Sequence, residues 1–385
     1  MNPFVFYMPT KVFFGKGQIA KLGGALPPNK KILITYGGGS VLANGVMGQV
    51  KAALSGFDFV EFGGIEPNPA FETLIKAVEV CKTQSIGFIL SVGGGSVLDG
   101  SKFIAAAAEY DGDMWQMVTS KGAGIKGAIP LGCVLTLPAT GSEMNDSSVI
   151  SRYETGDKIS FYSEFVIPRF AVLDPETTFS LPSRQAANGI VDTYVHVCEQ
   201  YMTYPAGAAL TDRLAESILS TLHEQGPLAM ANSNDYTSRA NIMWCATMGL
   251  NDLLQNGQPQ DWVTHAMGHE MTAAYGLDHA RTLAIVMPSL WDYCRESKGD
   301  KLVQYAARVL GITDGTRDEI IDAAIAKVRG FFASLGMPGY FSDLGLDAEK
   351  IPHMVKKLRE HGKVNIGERG TMSPEDMERI YKMCL

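Results

Sequence analysis

Four of the seven histidines in the chain, His196, His265, His269 and His279, sit in apolar helical patterns close to carboxylates. In "VDTYVH", Asp192 and His196 stand at i and i+4, one turn apart on a single helix face. "THAMGHE" repeats that spacing with His265 and His269. "GLDHA" adds His279 after Gly276, a helix stop, with Asp278 placed to cap the helix that follows. Imidazole and carboxylate together suit Zn²⁺ or Fe²⁺, and i, i+4 spacing lets one helix offer two ligands. A lone buried histidine is ordinarily a satisfied core residue, whereas two such pairs joined by His279 point to a divalent metal. The spacing leaves open which of His265, His269 and His279 are ligands. Glu270 lies outside the histidine pair, so the order is not H-E-x-x-H, which argues against a zinc protease. His223, His353 and His361 lie among charged, loop-like residues and read as surface.

A second chemistry is written in glycine. "GGGSVL" occurs at Gly37 to Leu42 and again at Gly93 to Leu98, each time after an apolar run and before a helix-like segment. A glycine turn lets backbone pass close to a bound group, and the following helix aims free amides and its positive dipole end at an anion. In the second copy Gly94, Gly95 and Ser96 would cradle a phosphate, although the G-x-G-x-x-G spacing is not met. The plain structural reading of the same turn makes Ser96 an N-cap with Asp99 at N3. Two such turns at successive strand ends of one parallel sheet lie along the same sheet edge, where ligands of open α/β sheets bind.

These residues need elements to position them. Up to about residue 180, apolar runs ("KILITY", "DFVEF", "IGFILSV", "AIPLGCVLTLP", "FAVLDP") alternate with helical periodicity, which predicts a parallel sheet covered on both faces. "SRYETGDKISFYSEF" reads as a β-hairpin placed on that domain. After "LPSRQAANGIVD" the strand signals stop and only helical patterns follow. The expectation is an α/β domain over 1–180 and an all-helical domain over 181–385. At 385 residues, with 46% apolar and 19% charged residues, the chain fits two globular domains. A net charge of −8 argues against nucleic acid or an anionic membrane as partner. The first residues lack a signal-peptide pattern, and no apolar run nears a membrane span. Six scattered cysteines read as buried, reduced thiols of a cytoplasmic protein.

Taken together, "FGKG", "ITYGGGSV", "FGGIEPNPA", "VGGGSVLDGSKFIAAAA", "LTLPATGSEMN", "ANGIVDTYVHVCEQY", "PQDWVTHAMGHEMTA" and "GLDHARTLAIVMP" resemble, in order and along the full chain, the iron-containing (group III) alcohol dehydrogenases. The likeness is strongest to their NADPH-dependent butanol dehydrogenase and broad-range aldehyde reductase subgroup. The resemblance implies a dinucleotide-binding α/β domain followed by a helical metal domain. It implies that Asp192, His196, His265 and His279 bind one divalent ion, Fe²⁺ or Zn²⁺, and that His269 lies by the nicotinamide and substrate as a proton relay. It makes Gly94, Gly95, Ser96 and Asp99 the pyrophosphate loop, with Asn68, Thr136, Thr140, Asn145 and Lys158 as further cofactor-facing positions.

Gly37, Gly38, Gly39 and Ser40 would take the adenosine-ribose end. NAD-preferring members of the family carry an aspartate at the position matched by Gly39, so its absence implies NADP(H). The implied activity is reduction of small aliphatic aldehydes and oxidation of primary alcohols such as butanol, by a homodimer. A sugar-phosphate cyclase of the dehydroquinate synthase type shares the two-domain plan. It needs Lys and Arg around the metal for a substrate phosphate, and "VDTYVHVCEQY" and "DWVTHAMGHE" have none, Arg281 aside.

Overall fold

The computed structural model describes residues 1–385, in two compact units. One comprises Tyr7–Leu181 with Ser233–Met243, the other Met1–Phe6 with Pro182–Asn232 and Trp244–Leu385. The N-terminal residues thus join the second unit, and the segment Ser233–Met243 joins the first.

The first unit holds eight strands: β1 (Lys11–Phe14), β2 (Ile32–Tyr36), β3 (Phe59–Phe62), β4 (Phe88–Gly94), β5 (Leu131–Leu137), β6 (Ser147–Arg152), β7 (Asp157–Tyr162) and β8 (Phe170–Leu173). Six form one sheet in the order β1-β8-β5-β4-β2-β3, every neighbouring pair parallel. Its helices are α1 (Leu22–Ala25), α2 (Ser40–Ala43), α3 (Val46–Ala53), α4 (Phe71–Thr83), α5 (Gly95–Ala108) and α6 (Met114–Thr119). Alternate residues of each central strand serve opposite faces. Leu33, Ile89, Leu131 and Leu135 pack with Leu74 of α4 and Phe103 of α5. Ile34, Leu90, Val92 and Val134 pack with Val46, Met47 and Val50 of α3 on the other side. This explains why the strands read as continuous apolar runs. The sequence pattern marks five of the six sheet strands; β1 is missed because it is a short edge strand with partly exposed side chains. β6 and β7 form the expected antiparallel hairpin.

Helices α7 (Ser183–Tyr201), α8 (Ala209–Ala231), α9 (Tyr236–Gly249), α10 (Val263–Tyr275), α11 (His279–Tyr293), α12 (Arg295–Arg308), α13 (Arg317–Ser334), α14 (Ile351–Glu360) and α15 (Pro374–Met383) complete the chain. Met267 and Met271 of α10, Ile285 and Leu290 of α11, Met354 and Leu358 of α14 and Ile380 of α15 share one core. Capping boxes at Thr316/Glu319 and Ser373/Asp376 start α13 and α15. No helix is long and apolar enough to cross a membrane.

Two histidines differ from the surface reading. His361 places Nδ1 2.7 Å from the buried Glu270 carboxylate. His223 lies 3.0 Å from the Tyr194 hydroxyl, and its ring centroid is 4.1 Å from that of Phe331. Both are drawn in by residues far along the chain. His353 is exposed, as expected.

Burial, with Lys327 adding to it, pushes the His223 imidazole down to about 4. Unfolded, the same group takes a proton near pH ~6.5. Between these values the unfolded chain binds the proton and the folded one does not, so stability falls as pH drops through that window and levels off below it. Urea unfolding of chelator-treated protein should therefore lose up to about 2 kcal/mol more between pH ~7 and ~4.5 than His223→Gln loses. Equal losses would show that His223 plays no part.

Candidate functional site

Within the helical unit, α7 supplies a stripe of polar residues on one face, because Asn188, Asp192, His196 and Glu199 recur at helical spacing. All four are buried. Ligand atoms of Asp192, His265 and His279, one each, lie within 4.8 Å of one another. His196 is outside that group but adjoins it. Its ring stacks on that of His265 with centroids 4.5 Å apart and planes at 20°, and its Nδ1 is 3.9 Å from Asp192 Oδ2. The His269 ring stands beside them, 4.8 Å from the His279 ring and 6.4 Å from the His265 ring.

A carboxylate with two or three imidazoles is a donor set for a divalent transition metal. Asp192 Oδ1 is buried with no hydrogen-bond partner, an arrangement that costs free energy unless a cation or water meets it. The residues present therefore fit a metal ion.

Neighbouring residues hold this group in place, and sequence reasoning missed them. Glu199 accepts from the His265 backbone N at 3.1 Å and the Thr264 N at 3.3 Å, and its Oε2 lies 3.2 Å from His265 Nδ1. Burial and the nearby Asp261 charge push the Glu199 carboxyl up, while the His265 and Thr264 donors and Lys298 pull it back. Lys298 is itself buried and donates to Asp261 Oδ2 at 2.5 Å, Met202 O at 2.7 Å and Glu368 Oε2 at 2.8 Å. Burial alone would lower this ammonium, but the two carboxylates outweigh it and raise it. Asp278 stands at the N-cap of α11, as the sequence suggested, but makes no cap bond; its carboxylate accepts from Arg184 Nε at 2.6 Å and Asn188 Nδ2 at 2.8 Å. Glu199 had a signal, since it extends the Asp192–His196 stripe by three residues. Asp261 and Lys298 had none.

In the α/β unit β2 and β4 are neighbours, with Tyr36 opposite Val92, so both glycine turns leave the same edge of the sheet. At the second the chain packs closely on itself. A Cβ on Gly95 would fall 2.4 Å from Thr140 Oγ1, so only glycine lets the start of α5 and the Thr140 loop close together. Ser96 is not the N-cap. That position is Gly94, with no side-chain cap bond, and Ser96 Oγ instead accepts from Asn68 N at 3.3 Å. Lys158 Nζ donates to Asn68 Oδ1 at 2.9 Å. Asn68, Ser96 and Lys158 are thus brought together, as are Gly95 and Thr140, while Thr136 is buried near the end of β5.

Asp99 and Asn145 have partners within the protein itself. Asp99 is turned inward, accepting from Ser142 Oγ at 2.7 Å and Val149 N at 3.0 Å. Lys102, one turn on and wholly buried, donates to Asn145 O at 2.9 Å, Asn145 Oδ1 at 2.8 Å and Ser147 O at 2.8 Å. Burial pulls this ammonium down to about 8, with Asp99 opposing the shift. Asp99 and Lys102 therefore brace the loop that carries Thr140. The first glycine turn leads into a helix, as expected, but a short one. It opens only the four-residue α2, after which the chain turns at Gly45 and restarts as α3.

Residues 9–175 match the family model "Iron-containing alcohol dehydrogenase", and residues 186–385 match "Fe-containing alcohol dehydrogenase family, C-terminal". The chain is 56% identical over 384 residues to the NADPH-dependent aldehyde reductase YqhD of Escherichia coli, covering 99% of each chain. It is 38% identical over 388 residues to NADH-dependent butanol dehydrogenase A of Clostridium acetobutylicum, again covering 99% of each. The crystal structure of E. coli YqhD superposes with a TM-score of 0.99 at 55% identity, over 100% of this chain and 99% of that one.

If the Asp192 group holds a metal, Asp192→Ala should abolish retention of one divalent ion per chain by elemental analysis, with the far-ultraviolet circular dichroism unchanged. His353→Ala, on an exposed residue, should retain it. Equal metal content in both variants would contradict the assignment.

Proposed function

This chain belongs to the iron-containing alcohol dehydrogenase family, and on that premise we propose that it is an NADP(H)-linked aldehyde reductase and alcohol dehydrogenase. Its substrates in this reading are small aliphatic aldehydes and primary alcohols such as butanal and butanol. The observation that carries the reading is the convergence of buried Asp192 and His265 with half-buried His279, and His269 alongside.

A divalent cation held there, Fe²⁺ or Zn²⁺, would lend Lewis acidity to a carbonyl oxygen, and NADP(H) would supply or accept the hydride. Asp192, His196, His265 and His279 would hold the cation, one negative charge and three neutral imidazoles. On reduction the carbonyl oxygen must gain a proton, and on oxidation the alcohol must lose one. His269 is the group we assign to hold and pass that proton, since imidazole titrates near neutral pH.

In the α/β unit Gly94, Gly95 and Ser96 would receive the pyrophosphate at the start of α5, where amides and helix dipole favour an anion. Asn68, Thr136, Thr140 and Lys158 would line the same cofactor, with Asn145 and Asp99 acting through the loop they brace. Gly37, Gly38, Gly39 and Ser40 would take the adenosine ribose and its 2′-phosphate. The two relatives are named for different cofactors, NADPH and NADH, so the choice has to rest on residues. The turn Gly37–Ser40 contains no carboxylate to repel a phosphate, and amides with a hydroxyl can donate to one. We assign the enzyme to the cytoplasm, supported by six free, buried thiols, and as a homodimer on family resemblance.

With butanal, kcat/KM for NADPH should exceed that for NADH by about tenfold or more, the worth of one charge-assisted hydrogen bond. Aspartate at Gly39 would be strained, because that residue holds φ at 101°; helical Ser40 is the better test. Ser40→Asp should erode the NADPH preference, and comparable efficiencies in the unaltered enzyme would overturn it. For His269→Ala, kcat should fall by roughly 10²- to 10⁴-fold and its pH profile should lose a limb. Full turnover with an unchanged profile would remove His269 from the relay.

A further inference from the structure

The first three amides of α10 belong to Val263, Thr264 and His265, and Trp262 at the N-cap offers them no side-chain acceptor. Asp261 Oδ1 receives Val263 N at 3.0 Å. The other two are received from another helix, by Glu199 of α7. The same carboxylate faces His265 Nδ1 at 3.2 Å. Glu199 already accepts from two α10 amides, and in its ionised form it can only accept, so in that form this contact places the proton on Nδ1 and leaves the lone pair on Nε2, the nitrogen across the ring. The Glu199 backbone adds a further tie, its carbonyl accepting from Asp261 N at 3.0 Å. One side chain thus sets both the start of the helix that carries His265 and the tautomer that this histidine presents.

We propose that Glu199 is a positioning residue for the divalent cation, acting through His265, with Lys298 and Asp261 fixing the backbone from the other side. The inference rests on the metal reading above. Two features distinguish it from a merely structural role. Glutamine at 199 is nearly isosteric and keeps one acceptor oxygen, but its amide end is a donor and cannot serve both an α10 amide and the His265 ring. The tautomer, moreover, is a property of the metal-free protein and can be read without any metal.

The experiment uses full-length protein stripped of metal. Zn²⁺ and Co²⁺ affinities are measured by competition with a chromophoric chelator for the unaltered chain, Glu199→Gln and Asp192→Ala. Long-range nitrogen–proton correlation spectra of histidine-labelled metal-free protein report each ring's tautomer, with His265 assigned from His265→Gln. The expected result is an Nδ1–H tautomer at His265, lost or mixed in Glu199→Gln, together with roughly 10- to 100-fold weaker metal binding in that variant. An Nε2–H tautomer at His265 in the unaltered chain would overturn the proposal even if Glu199→Gln failed to fold. So would unaltered metal affinity in a folded Glu199→Gln while Asp192→Ala has lost the ion. If the unaltered chain and Asp192→Ala bind alike, the metal reading itself has failed, and with it this inference.

Discussion

An α-helix begins with amide protons that its own backbone cannot accept, and in α10 those protons decide how the Asp192, His265 and His279 group is assembled. The residue at the cap is Trp262, held at φ 64° with no cap bond to offer. Two carboxylates from outside the helix take the donors instead, Asp261 from the preceding loop and Glu199 from α7. Buried carboxylates are costly unless they are paired or hydrogen-bonded, so each is held where its donors are. Because Glu199 shares a helix face with Asp192 and His196, satisfying α10 also brings His265 to their level. Lys298 completes the arrangement, a buried ammonium whose contacts are with Asp261, Glu368 and the Met202 carbonyl.

The α/β unit solves a related problem with the charge reversed. The loop after β5 must lie close against the start of α5. Lys102, wholly buried on α5, meets the Asn145 carbonyl and side-chain amide in that loop and the Ser147 carbonyl at the start of β6, while Asp99 takes the Ser142 hydroxyl of the loop and the Val149 amide of β6. Such braces are rigid because releasing one would strand a charge away from water. A backbone held this firmly is what a glycine turn requires, since it has no side chains of its own to keep its shape.

Much of this architecture is visible in the residue pattern. Continuous apolar runs separated by helical periodicity mark a parallel sheet with both faces covered, and the core packs on both faces. The weak signal was β1, a four-residue edge strand whose side chains are half in water and carry no period. His223 and His361 show a different limit. Their local neighbours are polar, and the groups that bury or pair with them, Tyr194, Phe331 and Glu270, lie 29 or more residues away. Asp99 shows a third. A motif can say which residue stands in a turn, but a carboxylate one turn into a helix can face a ligand or its own protein, and only packing selects between them.

What the amino-acid order settled by itself is whatever repeats at short range: strands, helices, the two glycine turns, and the pairing of Asp192 with His196 and of His265 with His269. Local periodicity carries these, because backbone geometry converts spacing directly into a shared face. What only the tertiary structure decided is which donors and acceptors meet across distant elements: Glu199 with the start of α10, Lys298 with Asp261, Lys102 with the loop after β5. Those partners are chosen by the requirement that every buried charge be answered, and that requirement acts through space, on residues whose separation along the chain carries no trace of it.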